Sequence, residues 1–228
     1  MRTAGASIRR MSEGRPDEES RNYAAERPKA FVDAVVAIAM TLLILPLMES
    51  VGEASSSGED TLEWLGGHRD QLLSFGLSFV IIAMFWMSHH RLFAHVHLVS
   101  NRLLWLLAAW MLSIVWLPVA TAISGQMSGE DSLARVLYIG SMIVTALLSL
   151  VIRLYLRRNP ELHTTPLATL RDGTAVDLAM ATLFGLSLLI AVLSPPIGYY
   201  SMVIMFAMGP LEALYAKLIG RAFSGSGS

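Results

Sequence analysis

The 228-residue sequence contains no cysteine, and only 15% of its residues are charged. Without cysteine there are no disulfides, no thiolate metal sites and no cysteine nucleophiles. A soluble domain is usually about 25% charged and 45–50% apolar. Here 54% of residues are hydrophobic and mean hydropathy is +0.54. That excludes a water-soluble globular domain and a disordered chain. The formal net charge is −1, so no basic field exists to hold phosphates, and no nucleic-acid partner is expected. Also missing are a nucleophile motif, a phosphate-binding glycine loop and the Thr-Val-Gly-Tyr-Gly potassium filter. No enzyme activity and no cofactor are expected.

What is present is a set of long apolar blocks. A spanning helix needs about 20 mostly apolar residues. The sequence predicts an all-α polytopic membrane protein with six such helices. The first four run over Ala30–Met48, Gln71–His90, Leu103–Ile123 and Leu133–Leu156. An uncharged run, Leu178–Leu211, is too long for one span. Pro195 and Pro196 divide it, because proline lacks an amide donor and restricts the residue before it. The last two spans are therefore Thr174–Leu193 and Gly198–Ile219. The connections Ser50–Gly67, Ser124–Asp131 and Asn159–Gly173 read as polar and turn-rich. Residues 1–26 read as a disordered cytosolic tail, 27–220 as the membrane domain and 221–228 as a flexible tail or linker remnant.

Basic residues test this division. Fifteen of the 17 Lys/Arg fall at one side: the N-terminal segment, the second and fourth connections and the C-terminal end. Only Arg69 and Arg135 fall at the other. Basic loops stay cytoplasmic. The expectation is a multi-pass cell-membrane protein, embedded in the lipid bilayer, with both termini inside.

Ionisable groups inside spans are costly and point to function. Asp33 lies one turn into the first span, with Lys29 four residues earlier on the same face. A second polar cluster ends the next span: Trp86, Ser88, His89, His90 and Arg91, then His95, His97 and Asn101. Four histidines within nine residues raise a metal site, but the stretch has no carboxylate. No metal is expected. Hydrogen bonding between this cluster and Asp33 is the preferred reading, since buried polar groups need partners. Asp177 reads as an ordinary helix-end carboxylate, and Arg153, Arg157 and Arg158 as interfacial anchors.

In the first span, about 100° per residue brings Ile38, Leu42 and Leu45 onto one narrow stripe. Thr41 flanks it, and Asp33 lies about 140° away from Ile38. Ala30, Ala34 and Ala37 permit close helix approach. Taken alone, the stripe reads as lipid-facing or packing surface.

Arg27-Pro28-Lys29-Ala30-Phe31-Val32-Asp33, followed by Ala-x-x-Ala-Ile-Ala-x-Thr-Leu-Leu, resembles the first-helix signature of the transmembrane protein 175 family. That family comprises lysosomal and prokaryotic cation channels, known best as potassium channels. Phe85-Trp86-Met87-Ser88-His89-His90-Arg91 and Asn101 are similar to the family pattern in the next two helices. The pattern reads Arg-x-x-x-Phe-Ser-Asp, and Val32 here stands at its serine. The resemblance implies a polar clasp of Arg27, Phe31 and Asp33 with Trp86, His89 or His90, and Asn101. It implies a homotetramer whose pore is lined by the first helix. Ile38, Leu42 and Leu45 become an aliphatic constriction serving as gate and filter, and Thr41 a position that influences ion preference. The permeant ion implied is K⁺. Two other readings remain: a proton-permeable channel or secondary transporter using Asp33 and the histidines, and a non-transporting membrane scaffold.

Overall fold

In a computed structural model, residues 22–126, 131–193 and 208–224 are described. They form a helical bundle: α1 (Glu26–Leu42), α2 (Leu45–Ser57), α3 (Thr61–Gly67), α4 (Arg69–Phe93), α5 (Asn101–Gln126), α6 (Ser132–Arg158), α7 (Leu167–Leu193) and α8 (Met208–Ser224). Five helical stretches among the described residues are long and apolar enough to cross a membrane: 26–57, α4, α5, α6 and α7. The expected sixth span is described only as α8, and Pro195-Pro196 lies outside the described residues.

Local chemistry accounts for the breaks. Asp60 caps α3 by accepting from Leu62 N and Glu63 N, and Asp131 caps α6 by accepting from Leu133 N. Gly58, at φ +76°, ends α2 in the left-handed region that glycine adopts without a Cβ clash. The expected single helix Ala30–Met48 is interrupted at Leu43–Ile44. Pro46 supplies no amide to the Leu42 carbonyl, and Ile44 N instead closes a tighter turn on Thr41 O at 3.3 Å. The expected turn-rich connection Ser50–Gly67 is mostly helical. Leu47, Ser50 and Ala54, spaced by three and four, supply a buried face for α2.

The all-α expectation needs one amendment. Tyr23–Ala24 (β1) pairs antiparallel with Leu98–Val99 (β2), and Val96 bridges His163. The 95–99 segment thus lies between the N-terminal approach to α1 and the α6–α7 connection. Ala25 N donates to His97 O at 3.0 Å, and His97 N to Leu162 O at 3.0 Å. Ala25 is fully buried. Order therefore begins before residue 26, where the tail was expected to end. At the other terminus α8 continues to Ser224, past the expected boundary at 220.

The core runs between α1, α4, α5, α6 and α7. It contains Val36 from α1, Phe85 from α4, Trp110 and Ile114 from α5, Tyr138 from α6 and Phe184 from α7. α6 adds a polar seam at every third or fourth position. Tyr138 OH bonds Ser78 Oγ of α4 at 2.7 Å, and Thr121 Oγ1 of α5 donates to the same Ser78 oxygen at 2.8 Å. Thr145 Oγ1 donates to Ser113 Oγ at 3.1 Å, and Trp110 Nε1 donates to Ser149 Oγ at 2.8 Å. Small hydroxyl residues let helices approach closely and bond across the contact.

Candidate ion-conduction site

The two sides of α1 are chemically alike but differently covered. Val32, Val36 and Ala39 are buried against the bundle, with Val36 at 2% exposure. Ile38, Leu42 and Leu45 are 57%, 37% and 50% exposed. Phe31 and Thr41 lie on the exposed side too. Leu45 belongs to α2, beyond the interruption at Leu43–Ile44, so the stripe crosses a break and is not one continuous helix face. Thr41 Oγ1 donates to Ile38 O at 2.8 Å. That fixes the hydroxyl proton on the backbone and leaves oxygen lone pairs available to water or a cation.

At the end of α1 nearer the β ladder, Trp86 Nε1 donates to Asp33 Oδ1 at 2.9 Å, tying α1 to α4. His90 is exposed, and its ring lies 5.5 Å from Trp86. His89 is buried and stacks on Phe93 at 4.3 Å and on Trp110 at 4.5 Å. A cleft of about 300 Å³ between α1 and α4 is lined by Glu26, Lys29, Asp33, His89 and His90, among others. Lys29 Nζ pairs with Glu26 at 3.2 Å and not with Asp33, the partner its i,i+4 spacing suggested. Arg27 and Asn101 are exposed and make no side-chain hydrogen bond among the described residues. Ser100, one residue earlier than Asn101, bonds Tyr155 OH at 2.8 Å and accepts from Leu103 N. Val32 is buried on the core side of α1. The valine at the motif's serine position thus fills the core. No group of three or more His, Asp or Glu that could hold a metal occurs among the described residues.

The sequence reading missed a buried ion pair. Arg153 was expected at the interface and Asp177 as an ordinary helix-end carboxylate. Instead Arg153 Nε donates to Asp177 Oδ2 at 2.6 Å, with the two side chains 5% and 1% exposed. Arg153 Nη2 also donates to Ser88 Oγ at 3.2 Å. The available signal was Arg153 continuing the three-and-four spacing of Tyr138, Thr145 and Ser149 along α6. That spacing places the arginine on the buried face.

Residues 27–118 match the family described as endosomal/lysosomal potassium channel TMEM175. A potassium channel of Streptomyces collinus is 32% identical over 110 residues, covering 48% of this chain and 52% of that protein. A potassium channel of a Chryseobacterium species is 30% identical over 95 residues, covering 42% and 46%. The chain thus spans about half the length of these two relatives. The chicken endosomal/lysosomal proton channel TMEM175 is 33% identical over 137 residues, covering 52% of this chain and 27% of that one. Among solved structures, a variant of the potassium channel MtTMEM175 bound to a nanobody fusion aligns with a TM-score of 0.55. The alignment covers 93% of this chain and 99% of that chain at 18% identity, a likeness of fold.

Proposed function

We propose, from the match of residues 27–118 to the TMEM175 family, that the chain is a member of that family and assembles as a homotetrameric channel that passes K⁺ passively across the cell membrane. Residues 27–220 form the six-span channel domain, with both termini in the cytoplasm. Four copies of α1 surround the axis. Ile38, Leu42 and Leu45 form the constriction, and Thr41 lies beside it.

The observation that carries this reading is the exposed apolar side of α1. A single chain leaves Ile38 and Leu45 at least half uncovered while Val36 opposite them is buried. An axis lined by isoleucine and leucine supplies no oxygen ligands. An ion crossing it keeps its hydration water or sheds it briefly, so the ring gates by width and dewetting. K⁺ holds water less tightly than Na⁺, so modest K⁺ preference follows. Thr41 oxygens stabilise water or a partly dehydrated ion. Beyond the constriction, the stretch Glu49–Asp70 carries six carboxylates and one arginine. That charge draws cations to the mouth.

The test is purified protein in liposomes, with K⁺, Na⁺ and H⁺ flux measured separately and the assembly mass determined in detergent. A tetrameric mass and K⁺ flux exceeding Na⁺ flux are expected. No K⁺ flux from a folded tetramer refutes the proposal and leaves the scaffold reading. The animal relative named a proton channel supports a second reading, in which protons are also conducted. Its signature is pH-dependent proton flux that Asp33→Asn abolishes with the tetramer intact.

A further inference from the structure

We infer that the buried Arg153–Asp177 pair, seated over Gly173, is a positioning device for the pore helix, acting through α4. The inference rests on the channel reading above and adds to it residues far from the proposed pore.

The guanidinium of Arg153 (α6) meets three elements at once. Its Nε and Nη2 reach the two oxygens of Asp177 (α7) at 2.6 and 3.4 Å. Its Nη2 also reaches Ser88 Oγ (α4) at 3.2 Å. On the remaining side lies Gly173, four residues before Asp177 on the same face of α7. A Cβ at Gly173 would overlap the guanidinium itself. The fork therefore has one seat, fixed by a carboxylate, a hydroxyl and a backbone that carries no side chain.

Ser88 is two residues from Trp86 on α4. At about 100° per residue, the two side chains leave nearly opposite sides of the helix. Arg153 holds α4 from behind, and Trp86 reaches forward to Asp33 of α1 at 2.9 Å. The chain of contacts is Asp177–Arg153–Ser88, then the α4 backbone, then Trp86–Asp33. A rotation of α4 that breaks the rear contact carries the indole away from the carboxylate. Stability alone does not require an ion pair here. A well-packed apolar pair at a buried site is often as stable as a salt bridge or more so. What an apolar pair lacks is direction, and a planar guanidinium fork supplies direction.

The experiment compares the parent channel with the double variant Arg153→Met/Asp177→Leu, Ser88→Ala and Arg153→Lys in liposomes. K⁺ flux and the K⁺/Na⁺ permeability ratio are read beside detergent mass and thermal midpoint. The double variant is expected to assemble and melt like the parent, yet to lose about fivefold in K⁺ flux with an altered ratio, the scale of one interhelical hydrogen bond. Ser88→Ala, which leaves the ion pair in place, is expected to lose about twofold to fivefold. Arg153→Lys is expected to stay below the parent, because an ammonium cannot bridge both partners in a fixed fork. Parent flux and ratio in an assembled double variant overturn the inference. Should the double variant fail to assemble, Ser88→Ala decides, and parent-like flux and ratio there overturn it equally. A parent that conducts nothing overturns the channel reading instead, so the two failures are distinguishable.

Discussion

α1 and α6 are both long apolar helices, and they meet their surroundings in opposite ways. α6 is bonded across to three neighbours through the side chains of Tyr138, Thr145, Ser149 and Arg153. Among the described residues α1 is bonded to the bundle by one side-chain hydrogen bond, Trp86 to Asp33. Its other face, with Phe31, Ile38 and Leu42, is apolar and uncovered apart from Thr41, whose hydroxyl is turned onto its own helix. In lipid, apolar contacts between helices gain little from leaving the solvent, so interhelical bonds and close packing supply the specificity. α6 has that specificity within one chain. α1 has an unbonded apolar face in the single chain, the face proposed to meet other copies, and among the described residues one side-chain attachment to the bundle.

The largest effect that separates the two helices is expected from Arg153→Met alone. It leaves the Asp177 carboxylate buried without its counter-charge, at a cost of about 3–5 kcal/mol. Purified protein should show a sharp fall in thermal midpoint and in the assembled fraction. The double replacement with Asp177→Leu should recover most of that loss. A single variant as stable as the double would mean that α6 is held by packing alone.

Next in size is Ile38→Asn, on the opposite side of the comparison. Ile38 is 57% exposed in one chain, so the substitution empties no core site. An amide at the proposed constriction would wet it. Cation flux is expected to rise roughly tenfold with weaker K⁺ preference, equivalent to about 1.4 kcal/mol of barrier. Flux and preference that match the parent would remove Ile38 from the constriction and leave the exposed stripe to lipid.

Much of this architecture is present in the sequence because bilayer thickness is a strong constraint. Twenty apolar residues in a row admit few structures, and α4 to α7 coincide with such blocks to within a few residues, except for the start of α7. What escaped the reading is what two-residue or tertiary contacts decide. The β1–β2 ladder has two residues per strand, too short for any periodicity. Arg153 and Asp177 are 24 residues apart on different helices, and nothing local pairs them. Pro46 was visible, yet α1 was read through it because the hydropathy does not change there. The turn-rich composition of Ser50–Gly67 suggested a loop, but only residues 58–60 leave the helix, with Gly58 in the left-handed region and Asp60 extended. In the site, the stripe followed from helical arithmetic, and the bonding of the Trp86 cluster to Asp33 from the need of buried polar groups for partners. The burial of Val32 shows the limit of the family resemblance, since the motif's serine position faces the core here.

A smaller effect is expected from Tyr138→Phe, which removes one hydroxyl from the α6 seam. Ser78 Oγ keeps its bond from Thr121. The cost should be about 0.6–1 kcal/mol, read as a modest drop in thermal midpoint. Flux should match the parent. A large flux change with unchanged stability would mean that the α6 seam takes part in conduction, which breaks the division between the two helices.

The smallest effect is expected from Thr41→Val, and it isolates the one polar group on the exposed face. The hydroxyl already donates to Ile38 O of its own helix, so valine breaks only a local bond, and it preserves the side chain's shape. Back-bonding of this kind adds little to helix stability and often bends the helix slightly. Thermal stability should therefore change by less than about 0.5 kcal/mol, as for other surface substitutions. What valine removes is the oxygen's capacity to accept from water or face a cation. If α1 lines the pore, that loss appears as a shift in the K⁺/Na⁺ ratio with the mass and midpoint of the parent. If the stripe faces lipid, the oxygen meets no ion and the ratio stays fixed. A methyl in place of a hydroxyl thus asks of α1 what Tyr138→Phe asks of α6, and opposite answers are expected from the two helices.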